Sequence, residues 1–268
     1  REGSAARNFE ALYTLIGEYP DQTMLCSDDK HPDELLVGHI NLLVKRAVAH
    51  GTDVYAALQA ACINPIEHYQ LNVGQLRVGD PADFIEVDSL ESFSVLRTWI
   101  DGELMAENGQ TTIARVEPPV ANQFVAQQVT AEQLSVAETA GKLQVIEALD
   151  GQLITNRVAI EPKINAGEVE CDVENDVLKM VVVNRYQKAA PAVAFVKNFG
   201  LKRGAMASSV AHDSHNVIAV GASDADLVAA INAVMEAGGG LSAGCADEGL
   251  SHVLPLPVAG LMATRPCE

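Results

Sequence analysis

The apolar residues of this chain change their period near residue 70, from helical spacing before it to strand-like alternation after it. Ala5, Ala6, Phe9, Leu12, Leu15 and Ile16 predict an amphipathic helix over 5–19, stopped by Pro20-Asp21. Thr23-Met24-Leu25-Cys26 reads as a short strand running into the polar loop Ser27-Asp28-Asp29-Lys30-His31-Pro32. One long helix follows, with Asp33 as its cap and Leu35, Leu36, Ile40, Leu43, Val44 and Ala47 on its apolar face, closed by Gly51. Thr52 or Asp53 caps a further helix, Val54 to Cys62, which must stop before Pro65. This alternation of strand and helix is the grammar of an α/β domain.

From 71 to 113 the pattern is that of a small β module. Strands are expected at Leu76-Arg77-Val78, at 83–87 and at 95–100, with Asp101-Gly102 turning the last one back through Glu103-Leu104-Met105. Pro118-Pro119 lies in a linker at 117–123. A second domain starts near 124, with strands expected at 143–149, 153–160, 178–186, 192–198 and 216–221. A helix is expected over 224–237, capped by Ser223 or Asp224 and stopped by Gly238-Gly239-Gly240, followed by a strand pair at 240–246 and 250–255.

Charge narrows the partners. Lys and Arg total 18 against 36 Asp and Glu, a net charge of −18, which repels phosphate backbones and anionic membrane surfaces. No apolar run is long enough for a transmembrane helix, and no signal-peptide pattern opens the chain. The five cysteines (Cys26, Cys62, Cys171, Cys245 and Cys267) form no C-x-x-C pair and suggest a reducing compartment, the cytoplasm.

Two polar clusters could carry chemistry. The loop Ser27-Asp28-Asp29-Lys30-His31 follows a strand, and in a β/α barrel that is the face where active sites are built. A carboxylate there can ligate a metal or accept a proton; a solvated acidic turn explains the same residues. The second cluster, His212-Asp213-Ser214-His215, could cover a substrate, form a hydrogen-bonded turn or, with no third ligand evident, hold a metal. His39, on a mostly apolar face, reads as a satisfied core or interface histidine, and Cys26 as a small buried hydrophobe. Gly238-Gly239-Gly240 follows a helix and lacks the P-loop pattern, so it is a helix stop.

The order Asn64-Pro65, Gly74-Gln75-Leu76-Arg77-Val78-Gly79-Asp80-Pro81-Ala82-Asp83 and Val87-Asp88 resembles the closing β module of the amidohydrolase superfamily. Two further stretches resemble the adenine deaminase family within it. One is Arg1-Glu2-Gly3-Ser4-Ala5-Ala6-Arg7-Asn8 with Cys26-Ser27-Asp28-Asp29-Lys30-His31-Pro32 and Gly38-His39-Ile40. The other runs from Phe199-Gly200 to Asn216. The resemblance covers essentially the whole chain. It implies the last part of a TIM-type barrel at 1–66, a β-sandwich module at 67–116 and an α+β C-terminal domain at 124–268. No His-x-His metal pair is present, so the chain resembles the C-terminal portion of such an enzyme.

What the resemblance implies chemically is hydrolysis of adenine to hypoxanthine and ammonia by a water activated on manganese or iron, the site being binuclear in the complete enzyme. Asp28 takes the place of the metal ligand and general base. Asp29 is the alternative for that role, with His31 beside it. Arg1, Glu2 and Ser4 fall where they could contact the purine, as could His212, Asp213 and His215; Glu2 is equally suited to a helix cap. The implied partners are adenine, the missing N-terminal part of the barrel and further copies of the chain, with no nucleic acid and no membrane. A dihydroorotase-like hydrolase of cyclic amides, or a non-catalytic module, would share some of these features.

Overall fold

The computed structural model describes residues 1–3, 6–117, 119–125 and 127–265. The chain divides into two compact units, Arg1–Val116 and Glu117–Glu268. Pro118 of the expected linker lies outside the described residues.

In the first unit, short helices α1 (Phe9–Leu12), α2 (Thr14–Glu18), α3 (Pro32–Val37), α4 (Ile40–Ala49), α5 (Val54–Leu58) and α6 (Asn64–Tyr69) precede an antiparallel sheet. Its strands β1 (Phe84–Val87), β2 (Val95–Ile100), β3 (Glu103–Glu107) and β4 (Gln110–Thr111) lie in chain order. Phe9, Ile16, Leu43, Val44, Ala47, Ala57, Ala60 and Phe93 form its core. Asp53 is the N-cap of α5, accepting the N–H groups of Tyr55 and Ala56. Asp101 and Gly102 turn β2 into β3 as expected, both with positive φ.

Several expectations for this unit need correction. Residues 23–26 belong to no strand. Their backbone partners are loops and helices instead. The Leu25 N–H donates to the Ala60 carbonyl at 3.0 Å, inside a π-helical turn (Gln59–Ile63), and the Asn64 amide holds the carbonyls of Pro20 and Thr23 at 2.6 and 2.7 Å. Cys26 is exposed, not buried. The single long helix is two helices, broken at Gly38-His39, with Asp33 inside the first turn of α3 and Leu36 90% exposed. Gly38 packs so tightly that a Cβ there would stand 2.7 Å from Leu42 Cγ.

The segment 76–78 is a turn, because carboxylates take the amides a ladder would use. Asp80 accepts from Gln75 and Arg77, while Asp83 accepts from Gly74 and Asp101, both at 2.7 Å.

The second unit is built on an eight-stranded sheet. Its strands are β5 (Leu143–Ala148), β6 (Thr155–Ile160), β9 (Val177–Val183), β10 (Ala192–Lys197), β11 (Ala205–Ser208), β12 (Val217–Gly221), β13 (Gly240–Cys245) and β14 (Leu250–Pro255). Their order is β14-β13-β11-β12-β9-β10-β5-β6, and only β10 and β5 pair in parallel. A separate hairpin, β7 (Lys163–Asn165) and β8 (Glu168–Glu170), completes the strands, and neither it nor β11 was legible in the apolar pattern.

Helix α7 (Asp224–Glu236) starts at Ser223, whose hydroxyl caps the Asp226 N–H, and buries Leu227, Ala230, Ile231 and Val234. These side chains meet Val181 and Val183 of β9, while Leu178 packs with Val196 and Val220 in another cluster, as alternation along the strand requires. Lys179 of β9 is 3% exposed, and its ammonium is held by both Asp224 carboxylate oxygens at 2.8 Å and the Leu134 carbonyl at 3.0 Å.

Removing one member of a buried ion pair leaves the other charged and unpaired, so Asp224→Ala should cost about 3 kcal/mol in urea unfolding. Pairing it with Lys179→Met should recover a large part of that loss. Equal losses in the single and double variants would show that the pair does not hold this end of the helix.

Candidate active site

The polar loop after residue 26 is positioned by the first residues of the chain. The Glu2 N–H donates to the Cys26 carbonyl at 3.1 Å, and Gly3 lies against the loop so closely that a Cβ there would stand 2.8 Å from the Asp28 Cβ. Asp28 itself has a φ of +52°, a left-handed conformation that Asp tolerates better than most residues. Its Oδ1 accepts the Asp29 N–H at 2.8 Å and its Oδ2 accepts Arg1 Nη1 at 2.8 Å. The Asp29 amide and, beyond it, the Arg1 guanidinium hold the Asp28 carboxyl below the usual Asp range, against a smaller opposing effect of burial. Asp28 is therefore an ionised carboxylate at neutral pH.

The structure thus brings Arg1, Asp28 and Asp29 together. Glu2 is engaged elsewhere: its carboxylate accepts Arg46 Nη1 at 2.8 Å and the Phe9 N–H at 3.4 Å, with the Arg46 guanidinium 4.4 Å above the Phe9 ring. Glu2 thus meets the first N–H of α1. Ser4 lies outside the described residues. His31 is the N-cap residue of α3, without a side-chain capping bond.

His39 is exposed at the break between α3 and α4, and its Nε2 lies 2.6 Å from Ser27 Oγ. Of the two expected places for His39, core or interface, the exposure at that helix break rules out the core.

The other cluster belongs to the second unit. The His212 and His215 rings meet edge to face, 5.4 Å between centroids, and His212 Nδ1 lies 3.7 Å from Asp213 Oδ1. Tyr186 anchors this loop, its hydroxyl donating to the Ser214 carbonyl at 2.9 Å. Sequence reasoning passed over a cavity of about 380 Å³ in the same unit, lined by Lys163, Glu170, Cys171, Lys179, Ser223 and Asp224 among others. Of its two lysines, Lys179 lies within an apolar strand, where no residue spacing marks it out.

Among the described residues no three His, Cys, Asp or Glu side chains converge to hold a metal ion. A structural zinc site uses four ligands and a catalytic one keeps three. Asp28 contributes one carboxylate, so the described residues do not form a metal site by themselves.

Comparison with known proteins places the first unit. Residues 2–105 match the amidohydrolase family. Residues 152–268 match the adenine deaminase C-terminal domain. Proteins named adenine deaminase are similar along the whole length. That of Salinibacter ruber is 52% identical over 269 residues, covering 100% of this chain and 49% of the relative. That of Methanosarcina acetivorans is 51% identical, covering 98% and 49%, and that of Borreliella burgdorferi is 39% identical, covering 100% and 50%. The chain belongs to the adenine deaminase family, and it spans about half the length of the curated relatives it matches.

No helix among the described residues is long and apolar enough to cross a membrane.

The close approach of Gly3 yields a test. Gly3→Ala should push the loop away and weaken the Asp28 contacts, so the Asp28 carboxyl should titrate nearer the ordinary Asp value of 3.8. Because the folded value is depressed, these contacts favour the folded form fully above pH 3.8 and lose that effect as pH falls through the folded value. Carboxyl chemical shifts followed against pH read both effects. An unchanged Asp28 midpoint in the variant would show that Gly3 does not set the loop.

Proposed function

We propose that this chain supplies the base-bearing part of an enzyme that hydrolyses adenine to hypoxanthine and ammonia. The observation that carries the reading is the ionised Asp28 carboxylate on the loop after residue 26, within a segment that matches the amidohydrolase family. The match of residues 152–268 to the adenine deaminase C-terminal domain favours adenine over a cyclic amide such as dihydroorotate. In this reading 1–66 is the last part of a TIM-type barrel, 67–116 its β-sandwich module and 124–268 the C-terminal domain.

The chemistry assigned to the chain is proton transfer. Water oxygen bonds to C6 of the purine as Asp28 takes a water proton. Asp28 then gives that proton to the amino nitrogen, the C6–N bond breaks, and ammonia leaves. One adenine and one water yield one hypoxanthine and one ammonia. Arg1 and the Asp29 amide keep Asp28 ionised but also make it a weak base, so release of Arg1 would strengthen it. No three metal-ligating side chains converge among the described residues, so a metal that serves this reaction would need ligands beyond Asp28. Asp29 is the alternative base, supported by its place beside Asp28. Within the second unit, the loop that carries His212, Asp213 and His215 is anchored by Tyr186 and leaves Asp213 fully exposed. The described cysteines are all free, which supports a reducing compartment such as the cytoplasm.

The test is a hybrid polypeptide in which this chain replaces the matching half of the Salinibacter ruber relative. It should convert adenine to equal amounts of hypoxanthine and ammonia and leave dihydroorotate intact. Turnover of dihydroorotate without turnover of adenine would overturn the substrate assignment.

A further inference from the structure

We propose that His39 is a positioning residue for Asp28, acting through Ser27; the inference deepens the reading of Asp28 as the base and rests on it. The argument starts from the helix break. A continuous helix over 32–49 would carry His39 around the cylinder with its neighbours. Instead α3 ends at Val37, Gly38 takes a φ of +155° and His39 has φ −132° and ψ −129°. Two contacts follow. The His39 N–H donates to Asn41 Oδ1 at 2.8 Å, and the imidazole Nε2 lies 2.6 Å from Ser27 Oγ. In the neutral ring with its proton on Nδ1, the Ser27 hydroxyl donates to Nε2.

The chain of bonds continues into the core. Asn41 Nδ2 donates to the Phe93 carbonyl at 3.1 Å, and Phe93 is 3% exposed. A path of hydrogen bonds therefore runs from a buried carbonyl through Asn41 and His39 to Ser27, the residue immediately before Asp28. Asp28 needs such support, since a left-handed conformation is held only where its surroundings fix it. Arg1 and the Asp29 amide hold the carboxylate, and His39 holds the backbone that carries it. A base displaced by a fraction of an ångström loses much of its effect, which gives this exposed histidine a role that burial does not.

The first test uses the 268-residue chain itself. His39→Ala should raise amide hydrogen exchange at Asp29, whose N–H is bonded to the Asp28 carboxylate, about tenfold, the worth of one hydrogen bond. Exchange at Leu43 to Ala47 should stay unchanged. His39→Gln, whose amide oxygen can reach Ser27, should restore most of the protection, and Ser27→Ala should reproduce the loss from the other side of the contact. Unchanged exchange at Asp29 in both His39→Ala and Ser27→Ala would overturn the proposal.

The second test uses the hybrid enzyme. There His39→Ala should lower kcat about tenfold with KM unchanged, and His39→Gln should recover it. An equal effect on kcat and KM with no recovery in His39→Gln would mark a merely structural role. Asp28→Asn in the same hybrid separates the two claims. If it keeps full activity, the Asp28 reading fails, while the exchange data still judge whether His39 holds the loop.

Discussion

The contact between Gly3 and Asp28 is the constraint on which the candidate site depends. With no side chain at position 3, the opening residues lie directly on the loop that follows residue 26. That closeness lets the Glu2 N–H reach the Cys26 carbonyl and the Arg1 guanidinium reach the Asp28 carboxylate. It also leaves the Glu2 side chain turned toward Arg46, which lies over Phe9 at the edge of the core. Packing, backbone bonding and the charge state of Asp28 are thus linked through one glycine.

Much of the fold could be read from the sequence where a local rule had no competitor. Ser223 caps α7, Asp53 caps α5 and Asp101-Gly102 turns a hairpin because each residue serves its own backbone. The rule failed where a distant group captured the backbone. Leu76-Arg77-Val78 has the composition of a strand, yet the Asp80 carboxylate takes the Gln75 and Arg77 amides. Residues 23–26 have the composition of a buried strand, but their partners are Ala60, Asn64 and Glu2. Strand β11, Ala205–Ser208, carries small residues whose alternation is invisible until β12 and β13 are placed on either side.

The site was legible to a lesser degree. Composition leaves the acidic loop open between a solvated turn and a catalytic carboxylate, and it was the resemblance that singled out Asp28. Geometry adds what spacing cannot show: the left-handed backbone, the two donors on the carboxylate and the histidine 12 residues on that reaches back to Ser27. Lys179 stayed hidden for the opposite reason, since its charge is neutralised by Asp224 from a helix 45 residues away.

The central claim is that the Asp28 carboxylate moves the proton in adenine hydrolysis. The most direct measurement is kcat and KM for adenine in the hybrid enzyme with Asp28 and with Asp28→Asn, which keeps the shape and removes the base. Loss of a general base predicts a fall in kcat of about 10²- to 10⁴-fold. A variant that turns over adenine within a few-fold of the parent would contradict it and move the proton transfer to another residue.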